Sequence, residues 1–470
     1  MMTLDLTKYG DQFTKSNINE ELYAIGATSS DIDRVKIVKH AIIPERAFTN
    51  FPNLEIVENL RYCDSIGGAA FEDCSKLAND KLDNCSYIGS MAFNYCQLID
   101  FKDLSCAQHI ESDAFAYSGL NGDIKVSDVS GQGAFAATRI ETVTIPKNST
   151  IRNSCFYNCE ILNTVYNLRY ASEIGNQAFY KCTSLGDITL DNCKLHEEVF
   201  SYSGVTSVNI AKLLIDRNSD NGIRAFQYCR NLRYVEIGDT SKIPTECFLN
   251  DTALETVRIP KKTSIEESAF SGCSGLKIVY NLAYITYIGS SAFSNCALLE
   301  NDKLGLGGTT SIYQYAFSGS GKEFKDFTHF NYADDISFRG SNITEAICND
   351  VGPGWFEDCG RLRQVTVNKN AKLGDTCFYA CENLQTINNL RYCSYIGNNF
   401  LRSAGERLTH NTINLTIENI SQYAFGRCEK LEWNLPNITI SELTNKNYCG
   451  AFEGTVFHCS DGNVTVPEYD

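Results

Sequence analysis

Apolar residues return at a regular interval along the chain in the string I-x-x-x-A-F. Examples are SIGGAAF, which ends at Phe71, and YIGSMAF, which ends at Phe93. We call the last residue of the string the marker, and most markers follow one another after 20 to 24 residues. With degenerate copies, the markers are Phe48, Phe71, Phe93, Phe115, Phe135, Phe156, Phe179, Phe200, Phe226, Phe248, Phe270, Phe293, Phe317, Phe338, Phe356, Phe378, Leu401, Phe425 and Phe452. Eighteen of the 26 phenylalanines hold this one position, which indicates an internal repeat of about nineteen coils.

The segment after each marker predicts a short β-strand. It begins as F-x-x-C-x-x-L, as in FEDCSKL, or as a form one residue shorter, as in FAATRI. Valine and isoleucine then alternate with polar residues, as in IETVTIP (140–146) and LETVRIP (254–260). This alternation is typical of a strand with one buried face.

A single coil of this kind cannot bury its own apolar edge, so the coils are expected to stack. The pattern therefore predicts a repeat solenoid with a short parallel sheet on one face. Turns, with short strands or helical turns, form the other face and carry a spine of marker phenylalanines. At a strand spacing of about 4.7–4.9 Å, nineteen coils would give a rod or arc on the order of 90 Å long.

A longer period overlies the short one. The string N-L-R-Y or N-L-A-Y begins at Asn59, Asn167, Asn281 and Asn389, in steps of 108, 114 and 108 residues, so the duplicated unit is five coils. One interpretation is segmental duplication without functional meaning. The other is that one binding surface is displayed three or four times, which would give avidity. We expect the four asparagines themselves to satisfy backbone groups of a turn and not to bind a ligand.

These motifs resemble those of the BspA-type leucine-rich-repeat family, whose unit reads roughly L-x-x-I-x-I-P followed by I-x-x-x-A-F-x-x-C-x-x-L. The resemblance covers about residues 43 to 460. It implies a right-handed, curved leucine-rich-repeat solenoid and a role in adhesion or ligand binding at a cell surface. The family supplies no catalytic residues that could be carried over.

The two ends of the chain are expected to cap the solenoid. Residues 1–42 do not fit the repeat and are predicted to form an N-terminal cap, with a short helix in NINEELYAIG capped by Asn17 or Asn19. The alternative for this segment is a docking tail. The solenoid is expected to span 43–452, and 453–470 to form a polar C-terminal cap. Such caps cover the apolar core and the sheet edge that a terminal coil exposes.

Charge and hydropathy narrow the partners and the location. Forty-one basic and 57 acidic residues give a net charge of −16, which disfavours nucleic acid and anionic membrane surfaces as partners. The chain has no apolar run of eighteen residues, so we expect no membrane insertion. Its first residues lack the pattern of a signal peptide. The location stays open between a cell surface, a virion and the cytoplasm.

The cysteines and histidines do not predict a catalytic or metal site. Ten of the 21 cysteines share one repeat position and are expected to form a buried row of reduced thiols: Cys74, Cys96, Cys159, Cys182, Cys229, Cys273, Cys296, Cys359, Cys381 and Cys428. The metal-like pairs Cys155/Cys159 and Cys377/Cys381 each follow from two repeat positions occupied at once. The histidines are scattered over His40, His109, His196, His329, His410 and His458. We therefore expect no enzyme activity, no cofactor and no metal.

Two rows of residues are candidates for binding. The strand-face row contains the polar residues between the buried positions of the strands: Thr142, Thr144, Asp187, Thr189, Tyr234, Glu236, Thr256, Arg258, Gln364 and Thr366. The tyrosine row follows the markers and contains Tyr95, Tyr117, Tyr202 and Tyr228. Exposed tyrosines supply the rigid, amphipathic contact area that interfaces use, although they can also shield the apolar edge between coils.

Two functions fit this pattern. The first is a non-catalytic recognition or adhesion protein that binds a protein or a glycan through an extended solenoid surface. The alternative is a structural component of a larger assembly, such as a homo-oligomer or a bacteriophage virion (a fibre or a capsid-associated protein).

Overall fold

The computed structural model describes residues 2–214, 222–300, 311–321, 324–328, 332–404, 408, 412–421, 423–424, 432–446 and 455–466. The markers Phe425 and Phe452, the thiol-row member Cys428, and His329 and His410 lie outside these residues. The chain is a parallel β-solenoid, as the repeat pattern predicts, with about 17 turns where the markers predict about nineteen coils. It falls into two compact units, Met1–Thr240 and Ser241–Asp470, which we call unit 1 and unit 2.

The described part of unit 1 contains short strands, one helix and four 3₁₀ helices. The strands are β1 (Thr3–Asp5), β2 (Arg34–Lys36), β3 (Ile42–Ile43), β4 (Ile56–Glu58), β5 (Ser65–Ile66), β6 (Tyr87–Ile88), β7 (Asp103–Leu104), β8 (His109–Ile110), β9 (Asn121–Val126), β10 (Arg139–Thr144), β11 (Thr150–Ile151), β12 (Thr164–Tyr166), β13 (Glu173–Ile174), β14 (Ile188–Leu195), β15 (Ser207–Leu213) and β16 (Tyr234–Ile237). The helix is α1 (Lys15–Ala24). The 3₁₀ helices are Thr7–Tyr9, Ser29–Asp31, Leu60–Tyr62 and Leu168–Tyr170.

The described part of unit 2 repeats this composition. Its strands are β17 (Lys242–Ile243), β18 (Thr256–Arg258), β19 (Ser264–Ile265), β20 (Ile278–Tyr280), β21 (Tyr287–Ile288), β22 (Ser311–Ile312), β23 (Tyr332–Ala333), β24 (Glu345–Cys348), β25 (Gln364–Val367), β26 (Lys372–Leu373), β27 (Thr386–Asn388), β28 (Tyr395–Ile396), β29 (Glu432–Leu435), β30 (Val456–Cys459) and β31 (Gly462–Thr465). Its helix is α2 (Ile440–Asn445), and its 3₁₀ helices are Leu282–Tyr284, Leu390–Tyr392 and Ile417–Asn419.

A typical coil contributes to two parallel sheets. Strands that follow the markers form the first sheet, in the orders β1-β2-β4, β7-β9-β10-β12 and β14-β15-β16 in unit 1, and β18-β20 and β24-β25-β27 in unit 2. Shorter strands that precede the markers form the second sheet, in the orders β3-β5-β6-β8 and β11-β13-β14, and β17-β19-β21-β22-β23 and β26-β28. Strand β14 belongs to both sheets because it is long enough to pair along each. The predicted short strands on the second face are therefore confirmed.

Alternating burial along the first sheet confirms the predicted strand pattern. In β10, Val143 is fully buried while Thr142 and Thr144 are partly exposed. The same three residues align in register with Thr164, Val165 and Tyr166 of β12. Side chains of one repeat position therefore lie directly above one another in successive coils.

The marker phenylalanines form the predicted spine. From Phe48 to Phe226 they are no more than 1% exposed. In unit 1 the centroids of neighbouring marker rings lie between 5.1 Å (Phe200–Phe226) and 5.7 Å (Phe115–Phe135) apart. In unit 2 the separation ranges from 5.2 Å (Phe248–Phe270) to 6.1 Å (Phe338–Phe356). These separations are typical of offset-stacked aromatic rings.

The marker turn forms a further ladder of backbone hydrogen bonds. The residues two before and two after a marker adopt left-handed backbone angles; around Phe93, Met91 has φ 57° and Tyr95 has φ 58°. All three N–H groups donate to the next coil, Met91 to Ser112 at 2.9 Å, Phe93 to Ala114 at 2.7 Å and Tyr95 to Ala116 at 3.1 Å. The side of the coil opposite the first sheet is thus held by backbone bonds as well as by the spine.

The predicted thiol row is present in the described residues. Each thiol donates to the backbone carbonyl of the marker in the preceding coil, over 3.0 to 3.4 Å, from Cys74, Cys96, Cys159, Cys182, Cys229, Cys273, Cys296, Cys359 and Cys381. Where a coil has no cysteine, a hydroxyl can stand in: the Ser320 hydroxyl donates to the carbonyl of Phe293, the marker of the preceding coil. Cysteine suits this position because a small buried side chain must also satisfy a carbonyl.

The expected helix cap at Asn17 or Asn19 is wrong. Helix α1 begins after Thr14, whose hydroxyl accepts the N–H of Asn17 at 3.3 Å. The Asn17 side chain in turn accepts the N–H of Thr14 at 2.9 Å, so Asn17 is the reciprocal member of a capping box. Asn19 lies within the helix. Thr14 is the cap because its extended backbone places its hydroxyl over the first helical turn.

The terminal segments also add strands that the repeat pattern does not predict. Strand β1 pairs parallel with β2 and extends the first sheet by one strand beyond the coils with markers. In unit 2, β30 pairs parallel with β29 and turns back at Gly462 to pair antiparallel with β31. The cap boundaries at 42 and 453 stay a prediction.

Removal of one spine ring should destabilise unit 1. We expect Phe179→Ala to lower the free energy of unfolding by about 3–5 kcal/mol, because the ring is fully buried and stacks on both neighbouring coils. Urea denaturation followed by circular dichroism measures the change. Tyr23→Ala is the control, since Tyr23 is 89% exposed, and should change stability by no more than about 0.5 kcal/mol. If Phe179→Ala lowers the free energy of unfolding by less than about 1 kcal/mol, the result would contradict a stabilising role of the phenylalanine spine.

Candidate functional site

The four N-L-x-Y turns of the long period have the same backbone. Each asparagine adopts left-handed angles, with φ between 67° and 71°, and precedes a short 3₁₀ helix. Its side-chain amide donates to a backbone carbonyl of the preceding coil, from Asn59 to Ile37 at 2.8 Å, Asn167 to Ile145 at 2.8 Å, Asn281 to Ile259 at 2.7 Å and Asn389 to Val367 at 2.8 Å. The prediction that these asparagines satisfy turn backbone is confirmed.

The tyrosine of each turn contacts a lysine of the preceding coil. This lysine stands 23 residues before the tyrosine in all four copies. Its ammonium nitrogen lies over the tyrosine ring at 4.8 Å (Lys39–Tyr62), 5.0 Å (Lys147–Tyr170), 4.0 Å (Lys261–Tyr284) and 5.2 Å (Lys369–Tyr392) from the centroid. These distances fall within the range of a cation–π interaction, worth about 0.5–1 kcal/mol at an exposed site.

A backbone hydrogen bond fixes each lysine relative to its tyrosine. The residue after the lysine has left-handed angles, and its N–H donates to the carbonyl of that tyrosine, from His40 to Tyr62, Asn148 to Tyr170, Lys262 to Tyr284 and Asn370 to Tyr392, over 2.7 to 3.2 Å. We call each set of lysine, asparagine and tyrosine a Lys–Tyr module. Modules 1 and 2 (Lys39, Asn59, Tyr62; Lys147, Asn167, Tyr170) lie in unit 1, and modules 3 and 4 (Lys261, Asn281, Tyr284; Lys369, Asn389, Tyr392) in unit 2.

Two of the arginines beside the module tyrosines form ion pairs, whereas the module lysines do not in the described residues. Arg61 and Arg169 also lie over the module tyrosines but bind Asp83 and Asp191 of the next coil, which raises the pKa of both guanidinium groups. In module 3 the arginine position holds Ala283, and in module 4 Arg391 lies 4.5 Å from the Tyr392 centroid without a carboxylate partner among the described residues. Within the described part of the chain, none of the four module lysines forms an ion pair with a carboxylate.

Grooves open beside two of the modules. In module 2 a groove of about 460 Å³ runs between the N-L-R-Y turn and the next coil, where Asp187 and Thr189 form part of its wall. In module 4 a groove of about 510 Å³ lies at the equivalent place, between Asn389, Tyr392 and Thr412. The lining of these grooves comes from the N-L-R-Y turns and the next coil, and among the described residues it does not include a module lysine. The turns of modules 2 and 4 therefore border concave surface large enough for a ligand group.

The strand-face row lies on the solvent side of the first sheet, as predicted. Most of its members flank a module. Thr142 and Thr144 of β10 pair in register with the module-2 strand β12, Thr256 and Arg258 of β18 with the module-3 strand β20, and Gln364 and Thr366 of β25 with the module-4 strand β27. Tyr234 and Glu236 lie in β16, away from the modules. The Tyr234 hydroxyl donates a hydrogen bond to the Glu236 carboxylate.

Several strand-face residues are occupied by contacts within the sheet. Thr142 donates to Asp123 at 2.8 Å, and Thr366 accepts from Asn388 at 2.8 Å. The guanidinium of Arg258 lies 3.9 Å from the centroid of the Tyr280 ring. The Thr206 hydroxyl donates to Asp187 and holds the pKa of that carboxyl below its ordinary value. Their role in binding stays a prediction.

The tyrosine row forms stacked pairs on the marker turns. Tyr95 and Tyr117 stack at 5.0 Å, and Tyr202 and Tyr228 at 4.7 Å, each pair across adjacent coils. Tyr95, Tyr117 and Tyr202 remain 46%, 47% and 40% exposed. The row therefore covers the marker-turn ladder and still leaves ring surface accessible, so both interpretations of it stand.

The contacts between the module lysines and tyrosines could not be read from the sequence pattern alone. The signal was present in ETVTIPKNST, ETVRIPKKTS and RQVTVNKNAK, which place a lysine at one position of each block. Its meaning depends on a contact between residues 23 positions apart, which only the stacking of coils produces.

Other chemistry is limited in the described residues. In the part of the chain that the structure describes, no group of three or more His, Cys, Asp or Glu is arranged to hold a metal ion. No helix of that part is long and apolar enough to cross a bilayer. Burial raises the pKa of the Cys155 and Cys377 thiols, which belong to the two metal-like pairs.

Comparison with known proteins identifies the repeat. The family model described as "BspA type Leucine rich repeat region (6 copies)" matches residues 9–121, 129–251, 241–351 and 349–459. The match thus begins earlier than the resemblance estimated from the motifs. A search of curated proteins finds no match.

Solved structures with similarity to the chain include three bacterial proteins. A leucine-rich repeat protein from Bacteroides ovatus is 19% identical with a TM-score of 0.47, over 73% of this chain and 80% of that one. A leucine rich cell surface protein from Faecalibacterium prausnitzii is 18% identical with a TM-score of 0.26, over 76% and 79%. A leucine-rich repeat protein from Eubacterium ventriosum is 15% identical with a TM-score of 0.22, over 85% and 88%. The strand pairing and the family model together show the leucine-rich-repeat solenoid.

Native thiol reactivity should follow burial. Burial raises the pKa of Cys106 to about 11 and that of Cys193 to about 12, and Cys106 and Cys459 are the two described cysteines that are not fully buried. We expect iodoacetamide to modify these two first among the described cysteines, at a rate that rises from about pH 8 to pH 10 because the thiolate is the nucleophile. Peptide mass spectrometry measures the sites. If iodoacetamide labelled Cys182 or Cys273 as fast as Cys106, the result would contradict the burial of the thiol row.

Proposed function

Because the chain belongs to the BspA-type leucine-rich-repeat family, we propose that it is a non-catalytic recognition or adhesion protein that holds its ligand at the Lys–Tyr modules. The ligand is a protein or a glycan, and the modules act together. The observation that carries this proposal is the recurrence of one lysine–tyrosine geometry in four coils.

The pattern of variation within the chain favours a function for the long period over duplication alone. The residues before the four lysines are Val38, Pro146, Pro260 and Asn368, and those after them are His40, Asn148, Lys262 and Asn370. The lysine is therefore retained between two positions that have changed. It is exposed and contributes nothing to the apolar core, so core packing does not explain its retention.

The spacing of the modules suits multivalent binding. Modules 1 and 2 lie five coils apart in unit 1, and so do modules 3 and 4 in unit 2. Five strand spacings correspond to about 24 Å. A ligand with repeated groups that reaches two modules gains avidity of about 10²–10⁴ over one contact. Modules that each bind the ligand weakly can then hold it firmly together.

Two matched variants test the proposal. One changes the module tyrosines (Y62A/Y170A/Y284A/Y392A), and the other changes the tyrosine row (Y95A/Y117A/Y202A/Y228A), so that each removes four partly exposed rings. We expect the wild-type chain to bind spots on a glycan array or a protein array. The module variant should lose that binding, because each lysine loses the ring that positions it, and the tyrosine-row variant should keep it.

The opposite pattern would move the binding surface to the tyrosine row and contradict a role for the modules. The alternative of a structural component in a larger assembly places the function at contacts between chains. Under this alternative, the wild type and both variants would show no binding on the glycan array or the protein array. That result would also contradict the proposal. Thermal unfolding of each variant verifies that it is folded.

A further inference from the structure

We infer that each Lys–Tyr module binds the carboxylate of an acidic sugar, so that the ligand of the chain is a glycan whose carboxylate groups are widely spaced. This inference rests on the proposed function and specifies its ligand. The feature that leads to it is an exposed lysine ammonium, held by a neutral ring, at the same place in four coils.

The module positions a positive charge without neutralising it. A tyrosine ring attracts the ammonium through its quadrupole, yet carries no charge of its own. The N–H of the following residue is bonded to the carbonyl of the same tyrosine, which fixes the backbone that carries the lysine. In a chain with 57 acidic residues, the described residues supply no carboxylate partner to any of the four lysines. An external carboxylate can complete the site through a charge-assisted hydrogen bond.

The surface around the charge suits a sugar. Tyr170 and Tyr284 are 36% and 53% exposed, so part of each ring remains available for contact. The groove beside the turn of module 2 is lined by Thr164 and Thr189, together with Arg169 and the carboxylate of Asp187. The groove of module 4 is lined by Thr412, Arg391 and Tyr392. Hydroxyls both donate and accept hydrogen bonds, as sugar hydroxyls require. Amphipathic rings beside such groups provide adaptable polar contacts on a rigid support.

The wide spacing of the module lysines favours an acidic glycan over anionic ligands with a high charge density. Each pair of modules presents one unpaired lysine about every 24 Å along a unit. Duplex DNA carries one phosphate charge per about 1.7 Å and requires a dense basic surface, which a chain of net charge −16 does not provide. An acidic peptide is the other class of anionic ligand, and poly-glutamate represents it in the test.

The test compares an acidic and a neutral glycan on the same carrier. The probes are 3′-sialyllactose and lactose, each coupled to polyacrylamide, and poly-glutamate as an acidic polymer without sugar. Their binding to immobilised full-length chain is measured by biolayer interferometry. We expect binding of the sialylated polymer only. The variant K39A/K147A/K261A/K369A should weaken that binding by about tenfold or more, because avidity multiplies the loss at each module. Added salt should weaken it as well, since the sites are exposed.

A matched variant controls for the change in net charge. K125A/K212A/K277A/K325A also removes four lysines, two in each unit, but these lysines pair with Asp103, Asp239, Glu255 and Glu345. It should bind the sialylated polymer like the wild type. Replacement of the module lysines by arginine should retain binding, which shows that a variant can fold and that the charge is what matters.

Three outcomes would overturn the inference. Equal binding of the lactose polymer would remove the carboxylate from recognition. Equal binding of poly-glutamate would reduce the interaction to charge without a sugar. Equal losses in the two lysine variants would remove the modules from it. If module-dependent array binding persists while the sialylated polymer fails, the proposed function stands and the ligand class is wrong.

Discussion

Backbone hydrogen bonding between successive coils is the constraint on which the other features of this solenoid depend. In the first sheet Val143 lies in register with Val165, and on the marker turn the N–H of Phe93 donates to Ala114 at 2.7 Å. Both ladders fix the rise from coil to coil near one strand spacing. A residue type that recurs at one coil position therefore becomes a row in space. The stacked phenylalanines, the buried thiols and the paired tyrosines are such rows.

The same ladders explain side chains that look unfavourable in isolation. Tyr95 has φ 58°, a left-handed conformation that costs a non-glycine residue about 1–2 kcal/mol. That conformation directs its N–H to the next coil, and its ring stacks on Tyr117. Cys182, buried beside the spine, donates its thiol to the carbonyl of Phe156. In both cases the coil position, and not the intrinsic preference of the residue, determines the local structure.

Sequence periodicity was sufficient to predict the structural features that repeat, but it could not predict those that occur once. The markers, the alternating strand residues and the thiol row were predictable because each is a local pattern copied many times. The helix cap at Thr14 was missed because it occurs once, outside the repeat, and depends on the extended backbone of that residue. The contact of Lys147 with Tyr170 was missed because it joins residues 23 positions apart, and only coil stacking brings them together.

The long period gains a physical interpretation from that contact. Five coils are the interval at which an exposed lysine, a left-handed asparagine and a tyrosine recur together. The central claim is that these modules are equivalent sites, and isothermal titration calorimetry with monovalent 3′-sialyllactose tests it most directly. We expect about four sites per chain with one common dissociation constant, as four independent modules require. A single site per chain, or four sites that persist in the variant without module lysines, would contradict it.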